Sequence, residues 1–116
     1  MPEVKSLDFE ISFFERLVEE APNFVDALIP LAEAYTRKGL YAKGLHIDKR
    51  LSKLCPKDST VHYNLACSYA LLGRKKDSLL ALFRAIKLGY CDFEHLKNDS
   101  DLKNLHNEPQ FRQLIA

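Results

Sequence analysis

Shifted back by 34 residues, the stretch Val61–Tyr90 overlays on an earlier part of the same chain. Leu65 falls on Leu31, Ala66 on Ala32, Tyr69 on Tyr35, Gly73 on Gly39 and Lys87 on Lys53. Pro22 and Pro56 keep the same separation. A self-match with a period near 34 residues is the mark of a helical repeat array, in which each unit buries its apolar face against the next. That constraint precedes every other reading. It also sets the function class, because such arrays present surfaces for binding rather than assemble catalytic groups.

The local signals agree with helices joined by short turns. Leu7, Ile11, Phe14, Leu17, Val18 and Ala21 recur at the spacing of one helix face and predict a first helix over about 7–21. Residues 1–5 read as a frayed end. Phe9 and Phe13 point away from that stripe, which leaves two alternatives: a helix wrapped on two sides, or an exposed aromatic patch that meets a second chain. Pro22 ends the helix. Asn23 reads as the cap of a second helix running to about Lys38, with Pro30 inside it removing one backbone hydrogen bond and Gly39 as its left-handed end. A third helix spans about 41–54, its apolar face (Leu40, Ala42, Leu45, Leu51, Leu54) interrupted by Asp48. Asp58 caps a fourth helix over about 59–72, which Gly73 ends. The fifth, about 75–88, carries Leu79, Leu82, Phe83, Ala85 and Ile86 on its apolar side and stops at Gly89. In the tail, Asp92 caps a short helix and Asp99 or Ser100 starts another. Asn107–Gln110 reads as a capping box opening a last helix over about 108–115, whose Phe111, Leu114 and Ile115 would seal the stack.

The pattern resembles the tetratricopeptide repeat. It carries a leucine with a small residue (Leu31-Ala32, Leu65-Ala66), an aromatic (Tyr35, Tyr69) and a turn glycine (Gly39, Gly73). A small residue in the second helix (Gly44, Ser78), a later one (Ala85) and a closing proline (Pro56) complete it. Asp48 and Leu51 depart from it, and the second repeat lacks the closing proline. The resemblance implies an all-α fold, an α-solenoid of antiparallel helix pairs wound as a right-handed superhelix. One domain over 1–116 would then hold an N-terminal helix of a truncated repeat (6–22), two repeats (23–56 and 57–90) and capping helices (91–116).

The resemblance further implies a concave groove for a peptide or partner helix. The residues expected to face it are Ile29, Glu33, Thr36 and Arg37 from the second helix, Tyr63, Asn64, Cys67 and Leu71 from the fourth, and Glu94 and Lys97 from the tail. Asn64 stands out because an amide both donates to and accepts from a peptide backbone. Ile29 and Glu33 replace the lysine and asparagine with which chaperone-binding members grip a C-terminal carboxylate, so such tails are not the expected ligand. An alternative is a self-associating module that dimerises about a twofold axis through Phe9 and Phe13.

Composition narrows the partner. Seventeen basic against sixteen acidic residues leave a net charge of +1, with no field to attract nucleic acid. No run is long and apolar enough for a membrane span, and the N-terminus lacks the basic end and apolar run of a secretory signal. Three cysteines (Cys55, Cys67, Cys91) suit reduced thiols and a cytoplasmic location. No metal, cofactor or enzymatic activity is expected. Cys91 and His95 make at most two ligands. His62 lies five residues from Cys67, too far round a helix to activate it as a nucleophile.

Overall fold

Left-handed glycines fix where this chain reverses. In the computed structural model, which describes residues 2–116 with side chains from Ser6 onward, Gly39, Gly73 and Gly89 take φ of 85°, 75° and 111°. Each closes the same pair of backbone bonds. Gly39 N–H donates to Thr36 and Leu40 N–H to Tyr35; Gly73 donates to Ala70 and Arg74 to Tyr69; Gly89 donates to Ile86 and Tyr90 to Ala85. These are Schellman closures, which satisfy the last carbonyls of a helix and turn the chain. All ordered structure among the described residues is helical.

The chain forms two compact units, Met1–Leu54 and Cys55–Ala116. The first holds α1 (Pro2–Glu20), α2 (Val25–Lys38) and α3 (Tyr41–Leu54). Helix α1 starts earlier than the periodicity predicts; Pro2 suits the first position of a helix, where its missing N–H costs nothing. Its side is held to α2 by a row of polar ties: Lys38 to Asp8, Arg37 to Glu10 and the Tyr35 hydroxyl to Glu15. Phe9 is 70% and Phe13 50% exposed, so the unit wraps α1 on one side only.

Two expectations change here. Asn23 does not cap α2: Phe24 N–H bonds back to Ala21, and the Phe24 carbonyl already accepts from Ala27 and Leu28, so Phe24 is the N-cap without a side-chain bond. Ala42 and Leu54 are exposed, and Ile47 enters the core in their place. Asp48 is buried beside Ile47 and Leu51, a polar residue within the apolar face as the pattern predicts.

The second unit holds α4 (Ser59–Leu71), α5 (Lys75–Lys87), α6 (Phe93–Asn98), a 3₁₀-helix (Ser100–Leu105) and α7 (Pro109–Ile115). Asp58 caps α4 through Thr60 and Val61 N–H, Asp92 caps α6 through His95 N–H, and Asp99 caps the 3₁₀-helix through Asp101 N–H, as their positions predict. The capping box of α7 does not form. Glu108 occupies the N-cap with no side-chain bond, and Asn107 Oδ1 instead accepts from Arg112. Leu96, Leu102, Leu105 and Phe111 are fully buried and close the unit, whereas Leu114 and Ile115 remain partly exposed. Phe83, counted with the core of α5, is half exposed.

Both helix pairs, α2/α3 and α4/α5, are joined by minimal turns and so run antiparallel. They touch at matching places. A Cβ added to Gly44 would lie 3.1 Å from Thr36 Oγ1 and 3.7 Å from the Ala32 carbonyl oxygen. In the other unit Ser78, 34 residues on, donates from its hydroxyl to the Ala66 carbonyl at 2.7 Å. A short side chain in the second helix lets it approach the carbonyl of a short residue in the first. This is how the repeated sequence becomes a repeated hairpin.

Candidate functional site

In the first unit, Ile29, Glu33 and Arg37 stand one turn apart on α2 and are all exposed. Arg37 is tied to Glu10 at 2.8 Å, so its guanidinium is held over α1. Thr36 is turned inward, donating to the Ala32 carbonyl at 3.1 Å beside Gly44. Burial, then the bond to Glu15, pushes the Tyr35 phenol well above its ordinary range.

In the second unit the four α4 candidates separate. Tyr63 and Cys67 are buried at 4% and 8% exposure, while Asn64 and Leu71 are half-buried. The reason is Asp99, in the tail. Its Oδ1 caps the 3₁₀-helix, and its Oδ2 accepts the Tyr63 hydroxyl at 2.6 Å. The same oxygen lies 3.7 Å from Cys67 Sγ and 3.4 Å from His95 Nε2. Tyr90 stacks flat on Tyr63, with centroids 4.3 Å apart and planes 6° from parallel, and the tilted His95 ring lies 5.7 Å from that of Tyr63. Asn104 Nδ2 adds a bond to the Ala70 carbonyl at 2.9 Å. One carboxylate thus fastens the tail to α4 and folds two of the four candidates into the interior.

This knot has its own electrostatics. Burial, then the Asp99 bond, holds the Tyr63 phenol far above its usual range. Burial, followed by the charges of Asp99 and Asp101, does the same to the Cys67 thiol. Asp101 is pushed up by burial and by the neighbouring Asp99 carboxylate. Donor atoms of Cys67, Asp99 and Asp101 lie within 4.8 Å of one another, a set that can coordinate a cation in principle. A metal would require the thiolate, and the surroundings favour the thiol. The Asp99 oxygens are meanwhile engaged with Tyr63 and the 3₁₀ cap. His62 does not serve Cys67 as a base: it is buried with Nε2 2.9 Å from the Pro56 carbonyl oxygen.

No protein-family model matches the chain. Over 84 residues the chain is 33% identical to a protein of Arabidopsis thaliana whose name describes it as chloroplastic, an overlap of 70% of this chain and 25% of that protein. The chain therefore spans about a quarter of the length of the curated relative it matches. No described helix is long and apolar enough to cross a membrane.

What remains open on α4 is Asn64. It is half-buried, and its amide makes no hydrogen bond within the described residues. Leu71 lies two turns further along, also half-buried. Glu94 and Lys97 are exposed on α6. Sequence reasoning missed the knot because Tyr63 and Asp99 are 36 residues apart and no local spacing links them. Asp99 was legible as a cap; its second carboxylate oxygen was not.

Proposed function

We propose that this chain is a non-catalytic protein-interaction module of the tetratricopeptide type, taking a peptide or partner helix on the first helix of a repeat. The observation that carries this reading is Asn64. Its neighbours on α4 are committed to the core or to the Asp99 knot, while its amide remains half-exposed and unused. A side-chain amide in that state offers one donor and one acceptor to a passing backbone. Leu71 offers an apolar contact two turns along the same helix, and Ile29, Glu33 and Arg37 mark the corresponding surface of α2. The repeated hairpins, matched at Gly44 and Ser78, support the family reading.

The test is selection of a displayed random-peptide library against the full chain, followed by affinity measurement on Asn64→Ala. The reading predicts an enriched sequence whose affinity falls about tenfold in the variant, the worth of ~1.4 kcal/mol of lost hydrogen bonding. No enrichment, or binding indifferent to Asn64, would sink it. Cys55, Cys67 and Cys91 are free thiols, which fits a reducing aqueous compartment. We assign the cytoplasm; the chloroplastic name of the relative makes the plastid the competing compartment, and imaging of the tagged protein separates the two.

A second reading, self-association through α1, is favoured by the exposure of Phe9 and Phe13, whose rings stack with centroids 6.3 Å apart.

A further inference from the structure

Helix α5 presents an outer face of unusual composition. Its exposed residues are Lys75, Lys76, Leu80, Phe83, Arg84 and Lys87. Every one is a base or a large apolar residue. Leu80 is 69% and Phe83 50% exposed, and Lys87 Nζ lies 5.5 Å above the Phe83 ring. The acid of this helix, Asp77, is neutralised by Arg74 at 2.8 Å, and Lys75 reaches Glu108 at 3.7 Å. Lys76, Arg84 and Lys87 make no ion pair among the described residues. Two apolar knobs one turn apart, flanked by unpaired cations, are more than a solvated surface needs.

Helix α1 carries the opposite face. Among its residues 6–20, Phe9 and Phe13 are the exposed knobs, again one turn apart, and the exposed charges are Asp8, Glu19 and Glu20 with Arg16. Asp8, which also pairs with Lys38, and Glu19 are eleven residues apart, the same interval that separates Lys76 from Lys87. At ~1.5 Å per residue this is ~16 Å on each helix, so the two charge intervals can face each other along one crossing. Side chains one turn apart on each helix can interleave there as ridges into grooves.

We propose that α1 of one copy docks on the α5 face of a second copy, with Phe9 and Phe13 between Leu80 and Phe83 and the α1 acids against Lys76, Arg84 and Lys87. The inference rests on the self-association reading and replaces its twofold α1–α1 contact by a head-to-tail one. Like faces match less well: among the described residues, α1 on α1 sets Glu19, Glu20 and Arg16 against the same set, and α5 on α5 sets bases against bases. The contact is heterologous, so each added copy leaves one α1 and one α5 face for the next unless a ring closes.

Sedimentation equilibrium of the full chain across a concentration series, at low and high salt, tests this. Phe9→Ser/Phe13→Ser removes one face and Leu80→Ser/Phe83→Ser the other. All four side chains are at least half exposed, and circular dichroism checks that both variants stay folded. Wild type should associate, with a dissociation constant about tenfold higher at high salt because the flanking charges are screened. Each variant alone should be monomeric, and an equimolar mixture should form a one-to-one heterodimer, since each supplies the face the other lacks. A monomeric wild type overturns both the inference and the self-association reading. If Leu80→Ser/Phe83→Ser still associates while Phe9→Ser/Phe13→Ser does not, the contact is α1 on α1: the reading survives and the inference fails. Association of Phe9→Ser/Phe13→Ser alone overturns both. A mixture of two monomeric variants that stays monomeric overturns the inference.

Discussion

Replacing Tyr63 by phenylalanine isolates one hydroxyl in the knot that fastens the tail to α4. The ring keeps its place, because its stack on Tyr90 needs only the aromatic face. What is lost is the 2.6 Å bond to Asp99 Oδ2. The Asp99 side chain is only 13% exposed, so water restores little of that bond, and what stays near the oxygen is a thiol at 3.7 Å and an imidazole nitrogen at 3.4 Å. A bond to a charged, poorly solvated acceptor contributes about 1.5–3 kcal/mol, which puts the expected loss near 2 kcal/mol. Asp99→Ala removes the same bond and the cap on Asp101 N–H, a further ~1 kcal/mol. The double variant should then be scarcely less stable than Asp99→Ala alone, a coupling of about 2 kcal/mol. Urea unfolding followed by circular dichroism reads this directly. With a slope of about 1–3 kcal/mol per molar, Tyr63→Phe should lower the midpoint by roughly 1 M. A loss below ~0.5 kcal/mol, or strict additivity in the double variant, would refute the assignment of Asp99 as the fastening group.

Three further outcomes follow from the same interior. Cys67 and Tyr63 have pKa values raised by burial, so above about pH 9 for the thiol and about pH 10 for the phenol the unfolded chain releases protons that the native state retains; stability should fall with rising pH by ~1.4 kcal/mol per unit for each group above its own onset, and Cys67→Ser should flatten the slope of alkaline unfolding curves. Exposed Cys91 should react with a thiol reagent quickly and buried Cys67 only as fast as the unit opens, an order that mass spectrometry of quenched samples reads. Ser78→Val removes the buried bond to the Ala66 carbonyl and adds a methyl where the two helices touch, so it should cost about 2–4 kcal/mol in thermal unfolding, whereas Ser78→Ala should cost only ~1 kcal/mol.

The parts of this molecule that the sequence announces are those with local causes. Gly39 and Gly73 end helices because a left-handed residue is needed there, and Asp58, Asp92 and Asp99 cap the helices that begin just after each aspartate. The 34-residue register survives as matched contacts at Gly44 and Ser78. Misreadings arose where a local rule lost to a neighbour. Asn107 has the spacing of a cap, but Arg112 claims its carbonyl, and Phe24 takes the helix start from Asn23 because the turn out of α1 bonds through its own backbone. Tyr63 and Cys67 are expected from the resemblance to face a groove, yet the Asp99 loop draws both inside. Periodicity places a residue on a helix face; it does not reveal which distant segment comes to cover that face. Phe83 errs the other way, matching the apolar stripe of α5 while staying half exposed.

The central proposal is that the first helix of each repeat offers a working surface, with Asn64 as the polar anchor on α4. Titration of isotopically labelled protein with a library-selected peptide, followed by amide chemical shifts, tests it most directly. The account predicts shifts concentrated on Ile29, Glu33 and Arg37 of α2 and on Asn64 and Leu71 of α4, with the Asn64 side-chain amide moving as well. Shifts confined to α5 or to the 91–116 tail, with α2 and α4 silent, would contradict it.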